Sequence, residues 1–85
     1  MIEIENITIG SVLKRLRLSM KFSQEELAAR SSLDRTYISM LERNIKQPTI
    51  TTVFLLANAL NMKPSEFVQQ LEEDFDGHII KRTKV

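Results

Sequence analysis

The 85-residue sequence has no cysteine, no tryptophan, two glycines, two prolines and a single histidine. Each scarcity excludes something. Without cysteine there is no disulfide and no thiolate metal site, which fits a reducing cytoplasm. The lone His78 has no second ligand type gathered near it in sequence, so no metal is expected, and no cofactor either. No apolar run approaches the ~20 residues of a membrane span. The opening segment MIEIENITIG is acidic and lacks a basic n-region, so it does not read as a signal peptide. No Gly-rich phosphate loop, nucleophile–base pair or set of paired carboxylates is present, which argues against an enzyme. A strong charge of one sign is missing as well, since the net charge is only +1.

What remains is a chain of one-domain length whose pattern is helical almost throughout. A domain this small buries only about 60% of the surface its unfolded chain exposes, so association is a natural support. The charge is uneven: residues 1–46 carry eight basic and six acidic side chains, and residues 47–85 carry four basic and five acidic. The modest basic excess therefore lies in the first half.

Ile9, Val12, Leu13, Leu16 and Met20 recur at spacings of three and four and predict a first helix over about 9–20. Arg17 falls on the same stripe, and a charge on a buried face needs a partner. Ser23 followed by Glu26 is a capping box that starts a short second helix ending near Ser31. Leu33 is an apolar plug in the turn, and Asp34 is a suitable N-cap for a third helix over about 35–43. One arc of that third helix carries Arg35, Thr36, Ser39, Met40 and Arg43. The opposite arc carries Tyr37, Ile38 and Leu41, with Glu42 at its edge. Glu42 and Arg17 are the two charges bordering buried faces, so the pair is expected to meet and to set geometry more than stability. A fourth helix is expected from the Thr49 cap to Leu60, with Ile50, Val53, Phe54, Leu56, Ala57 and Leu60 as its core face and Leu55 off it. A fifth starts near Pro64 with a stripe of Phe67, Val68, Leu71 and Phe75, and Asp76-Gly77 is expected to stop it.

Gln24-x-x-Leu27-Ala28, then Leu33, then Ile38-x-x-Leu41-Glu42-Arg43, then Pro48 and a helix ending Leu60-x-Met62, resembles the phage repressor/Cro type of helix-turn-helix regulator. The likeness spans about residues 9 to 72. The runs Leu33-Asp34-Arg35-Thr36-Tyr37-Ile38-Ser39 and Leu41-Glu42-Arg43-Asn44 resemble most closely the controller proteins of restriction–modification systems. The resemblance implies an all-α, five-helix domain over residues 1–76, a reading motif at about 23–44, and a C-terminal tail at 77–85, extended or disordered. Two departures stand out. Ser32 occupies a turn position where the family usually has Gly in a left-handed conformation, and Asn44 stands where Gly often follows the third helix.

On that resemblance Arg35, Thr36 and Met40 are the expected base readers. Arg35 is able to donate two hydrogen bonds to a guanine, and Thr36 to offer its hydroxyl or methyl to a base edge. Gln24, Tyr37, Ser39, Arg43, Asn44 and Lys46 are the expected phosphate contacts, with Tyr37 equally able to serve as core filling. Double-stranded DNA is the expected partner, read by a homodimer on a pseudo-palindromic operator. Leu55, Phe67, Val68, Leu71 and Phe75, with Ile79 and Ile80, exceed what one small core needs and are expected at the dimer seam, although Phe67 and Leu71 suit the core as well. An alternative is an antitoxin-like interaction module using the tail. No membrane and no small-molecule partner is expected.

Overall fold

The computed structural model describes the backbone of residues 7–83 and the side chains of residues 7–75. Helices α1 (Gly10–Ser19), α2 (Gln24–Ser31), α3 (Arg35–Glu42), α4 (Ile50–Ala59) and α5 (Pro64–Thr83) follow one another in an all-α arrangement. α2 packs on α3 and α4, α1 braces α3 and α5, and α4 lies against α5. Val12 and Leu13 of α1, Leu27 and Ala28 of α2, Ile38 and Leu41 of α3, and Val53, Leu56 and Ala57 of α4 are all buried. Phe67, in the first turn of α5, is the largest fully buried side chain. Leu16, Phe22, Leu33, Tyr37, Met62 and Leu71 close around this cluster.

Four of the helices end by one device. Lys21, Ser32, Asn44 and Asn61 each take a left-handed backbone with φ near 60°. The residue after each of them is apolar: Phe22, Leu33, Ile45 and Met62. Its N–H reaches back five residues, from Phe22 to the Arg17 carbonyl, Leu33 to Ala28, Ile45 to Met40 and Met62 to Ala57. This is the Schellman closure, which satisfies carbonyls that a helix end would leave orphaned. Neither glycine of the chain sits at any of these positions. Asn tolerates the left-handed region, whereas Lys21 and Ser32 adopt it at a cost of about 1 kcal/mol. Ser32→Gly is therefore expected to stabilise the fold, raising Tm by several degrees on the scale of about 4–8 °C per kcal/mol for a domain of this size. A thermal melt with an unchanged or lower Tm would refute the assignment of strain to this turn.

Helix starts follow their caps unevenly. Ser23 Oγ accepts the Glu26 N–H at 3.0 Å, and Thr49 Oγ1 accepts the Thr52 N–H at 3.1 Å. The return half of the expected capping box is absent, because the Glu26 carboxylate instead pairs with Arg30 Nε at 2.7 Å. Asp34 precedes α3 in an extended conformation but makes no side-chain cap bond. The Lys63 N–H, just before Pro64, is held by Glu66 Oε1 at 2.8 Å.

Three expectations are corrected. Ile50 and Phe54, placed on the core face of α4, are 70% and 54% exposed. Thr52 and Ala59 are buried in their stead. The apolar arc of α4 is wider than the face that α2 and α5 cover, so one edge of it is left over. Phe67, expected at a dimer seam, is 0% exposed within the protomer. Finally, α5 does not stop at Asp76-Gly77 but runs to Thr83, so residues 77–83 are helical rather than an extended or disordered tail. A lone Gly inside a helix costs about 1 kcal/mol without breaking it. The apolar residue that follows each of the other four closures is missing here, since His78 follows Gly77. The side chains of His78, Ile79 and Ile80 and the whole of residues 84–85 lie outside the described residues.

Candidate nucleic-acid interface

α2 and α3 are separated by only Ser32, Leu33 and Asp34, and two devices hold α3 against the rest. On its inner side Ile38 and Leu41 are 0% exposed. At its C-terminal end the reach is longer. Asn44, held left-handed just beyond α3, accepts the Gly10 N–H on Oδ1 at 2.9 Å. The start of α1 thus butts against the end of α3. Gly10 is required by this approach: a Cβ there would collide with the Glu42 carbonyl and lie 2.5 Å from Asn44 Oδ1.

Beneath that joint Arg17 and Glu42 meet, with side chains 9% and 4% exposed. Arg17 Nε donates to Glu42 Oε2 at 2.6 Å, and Nη2 donates to Oε1 at 3.1 Å. The third arm of the guanidinium, Nη1, donates to the Phe22 carbonyl at 2.8 Å. Gln24 Nε2 adds a further bond to Glu42 Oε1 at 3.1 Å. The pair anticipated from two misfit charges is therefore a four-residue network joining α1, the turn after it, the start of α2 and the end of α3. Among the described residues no buried side-chain polar atom lacks a partner.

The outward arc of α3 is the converse. Arg35 and Thr36 are exposed at its N-terminal end, Ser39 and Met40 are half-buried midway, and Arg43 is exposed at its end. Lys46 is exposed in the loop that follows. The ion pairs among the described residues are Arg17–Glu42 and Arg30–Glu26, which leave Arg35, Arg43 and Lys46 without an acidic partner there. Arg43 Nε makes a long contact, 3.4 Å, to the Ser39 carbonyl. A short helix thus presents to solvent small polar groups and cations that have no acidic partner among the described residues, the chemistry that duplex DNA requires.

The other expected residues divide. Tyr37 is half-buried and packs on the core cluster. Gln24 is half-buried at the first position of α2, with its amide already bonded to Glu42. Asn44 has spent its carbonyl oxygen on Gly10, so its structural role is the joint between α1 and α3. Sequence reading missed the Gln24–Glu42 and Asn44–Gly10 bonds. The only advance signal was a glycine at the start of α1, where helix propensity gives no reason for one. No group of three or more metal-ligating side chains occurs among the described residues.

A helix-turn-helix family model matches residues 13–67, which contain the whole α2–turn–α3 unit. The chain belongs to the helix-turn-helix family. An uncharacterized HTH-type transcriptional regulator of Sinorhizobium fredii is 40% identical over 65 residues, 76% of this chain and 84% of that one. Control protein C.BamHI of Bacillus amyloliquefaciens is 32% identical over 63 residues, 73% of this chain and 78% of that one. The restriction-modification controller protein C.Esp1396I, as a tetramer in complex with its natural 35 base-pair operator, is similar with a TM-score of 0.71 and 38% identity over 76% of this chain and 86% of that one. The chain spans less of the immunity repressor of Bacillus phage phi105, 43% of its length at 32% identity. It is a transcription regulator of the restriction–modification controller type, not an enzyme.

Proposed function

We propose that the protein acts as a homodimer that reads a pseudo-palindromic operator in double-stranded DNA, and that it controls a restriction–modification operon together with its own gene. The observation that carries the reading is Arg35, exposed and without an acidic partner among the described residues, beside Thr36 at the start of a helix whose C-terminal end is locked through Glu42 and Asn44. Arg35 and Thr36 contact base edges and Met40 makes apolar contact with them, Arg35 best matching a guanine. Gln24, Ser39, Arg43 and Lys46 hold phosphates, the Tyr37 hydroxyl reaches one from a ring that packs inward, and Asn44 adds only its amide nitrogen. The protein works on the chromosome in the cytoplasm, and no helix among the described residues is long and apolar enough to cross a membrane.

One protomer makes few base contacts, whereas two reading helices spaced by about 34–36 Å meet successive turns of one groove face. Leu55 and Val68 are 38% and 46% exposed, and Leu71 and Phe75 are half-buried. With Ile50 and Phe54 they supply the apolar surface for a dimer seam, and Phe67 leaves the set. Support for an assembly on DNA comes from the operator-bound tetramer of the relative.

Gel shifts against the protein's own upstream region test the reading. Arg35→Ala is expected to lose about 1–3 kcal/mol of discrimination between the operator and a duplex with the contacted guanine replaced. Equal binding of operator and scrambled duplex by the native protein would overturn sequence-specific reading, and unchanged discrimination in the variant would remove Arg35 from it. Neighbouring genes for an endonuclease and a methyltransferase are the expected genomic setting of the controller role.

A further inference from the structure

Glu42 holds more than Arg17. Its carboxylate is almost sealed from solvent, with Oε2 bonded to Arg17 Nε and Oε1 shared between Arg17 Nη2 and Gln24 Nε2. The last residue of α3 therefore grips the side chain of the first residue of α2. That grip has a direction. A primary amide has a donor end and an acceptor end that exchange by a flip, and an ionised carboxylate accepts only from the donor end. Bonded to Glu42, Gln24 keeps its nitrogen in place, with one N–H used and the other without a partner among the described residues.

The direction matters because of what surrounds it. A phosphate oxygen, like a carboxylate, only accepts, and a flipped amide would present a carbonyl oxygen to it. The start of α2 does not favour an anion strongly by itself. The Glu26 N–H there is already taken by Ser23 Oγ, and Glu25 and Glu26 add negative charge in the same turn. Arg17 in turn neutralises Glu42, so the orienting carboxylate does not repel the phosphate. We infer that Glu42 is a positioning residue for DNA binding, which fixes the amide of Gln24 so that its second N–H is presented to a backbone phosphate. The inference rests on the proposed phosphate contact of Gln24.

A double-mutant cycle on operator affinity tests it. In the native background Gln24→Ala is expected to weaken binding about tenfold, as for a hydrogen bond to a charged group. In the Arg17→Met/Glu42→Met background, where the buried pair becomes apolar, the same substitution is expected to cost less than about twofold, because an unheld amide contributes little. Arg35→Ala must cost the same factor in both backgrounds, which shows that α3 is still docked. Equal losses from Gln24→Ala in the two backgrounds would overturn the inference while leaving operator binding intact. Failure of the native protein to bind its operator would sink the functional reading itself, and the inference with it. Should the double variant not fold, the Gln24 side-chain NH2 pair in nitrogen-correlated NMR of the native protein decides. One proton is expected to exchange slowly before DNA is added, and the other to slow on operator binding. Two protons of equal exchange in the free protein would refute the assignment.

Discussion

Phe67→Ala is expected to destabilise the protomer by about 3–5 kcal/mol, a large share of the ~5–15 kcal/mol available to a small domain. The ring is 0% exposed and belongs to the one cluster to which all five helices contribute. It lies just after the Pro64 start of α5, a helix packed against both α4 and α1, which limits how far it can shift to refill the hole. Urea denaturation at fixed protein concentration measures the loss. The control is Phe54→Ala. That ring is 54% exposed on α4, and its removal is expected to change protomer stability by less than about 1 kcal/mol while weakening self-association. A small loss for Phe67→Ala combined with weakened self-association would return Phe67 to the dimer seam.

Arg17→Met is expected to cost about 3–5 kcal/mol, for a different reason. The substitution keeps an apolar stem of similar length but strands the Glu42 carboxylate, whose side chain is 4% exposed. It also removes the donor to the Phe22 carbonyl at the turn between α1 and α2. Adding Glu42→Met should restore most of the stability, since exchanging a buried ion pair for apolar groups is often neutral. Denaturation of the single and double variants decides between a pair that stabilises and one that orients. A single variant no less stable than the double would show that Glu42 tolerates isolation and that the network is not a closed unit. The expected pattern, a costly single and a nearly neutral double, leaves orientation of Gln24 and α3 as what the charges contribute.

These substitutions also mark how far the residues speak for themselves. The reading motif was legible because its signals are local. Ser23 caps α2, Leu33 plugs the turn, and the polar and apolar arcs of α3 separate at helical spacing. The Arg17–Glu42 pair was legible too, since a charge on a buried stripe asks for a partner of opposite sign. Phe54 and Phe67 were not separable. Both lie on apolar arcs of amphipathic helices, and periodicity reports that an arc exists without saying how much of it a neighbour covers. The length of α5 was misread because a single glycine costs a helix only about 1 kcal/mol and does not by itself end it.

Composition, caps and periodicity determined an all-α chain, the order of its helices and the residues on the outward arc of α3, and the family resemblance those residues carry pointed to the reading motif. These depend on neighbours within about one helical turn, and that information is carried by consecutive residues. The tertiary structure alone decided which edge of α4 stays open, that Phe67 belongs to the core, that Asn44 is a joint to Gly10, and that Gln24 is held by Glu42. Those outcomes depend on the crossing of helices distant in sequence, such as the 34 residues between Gly10 and Asn44 and the 18 between Gln24 and Glu42. Contacts of that range are set by how whole helices pack, and local spacing reveals one only where, as for Arg17 and Glu42, each partner is a charge bordering a buried face.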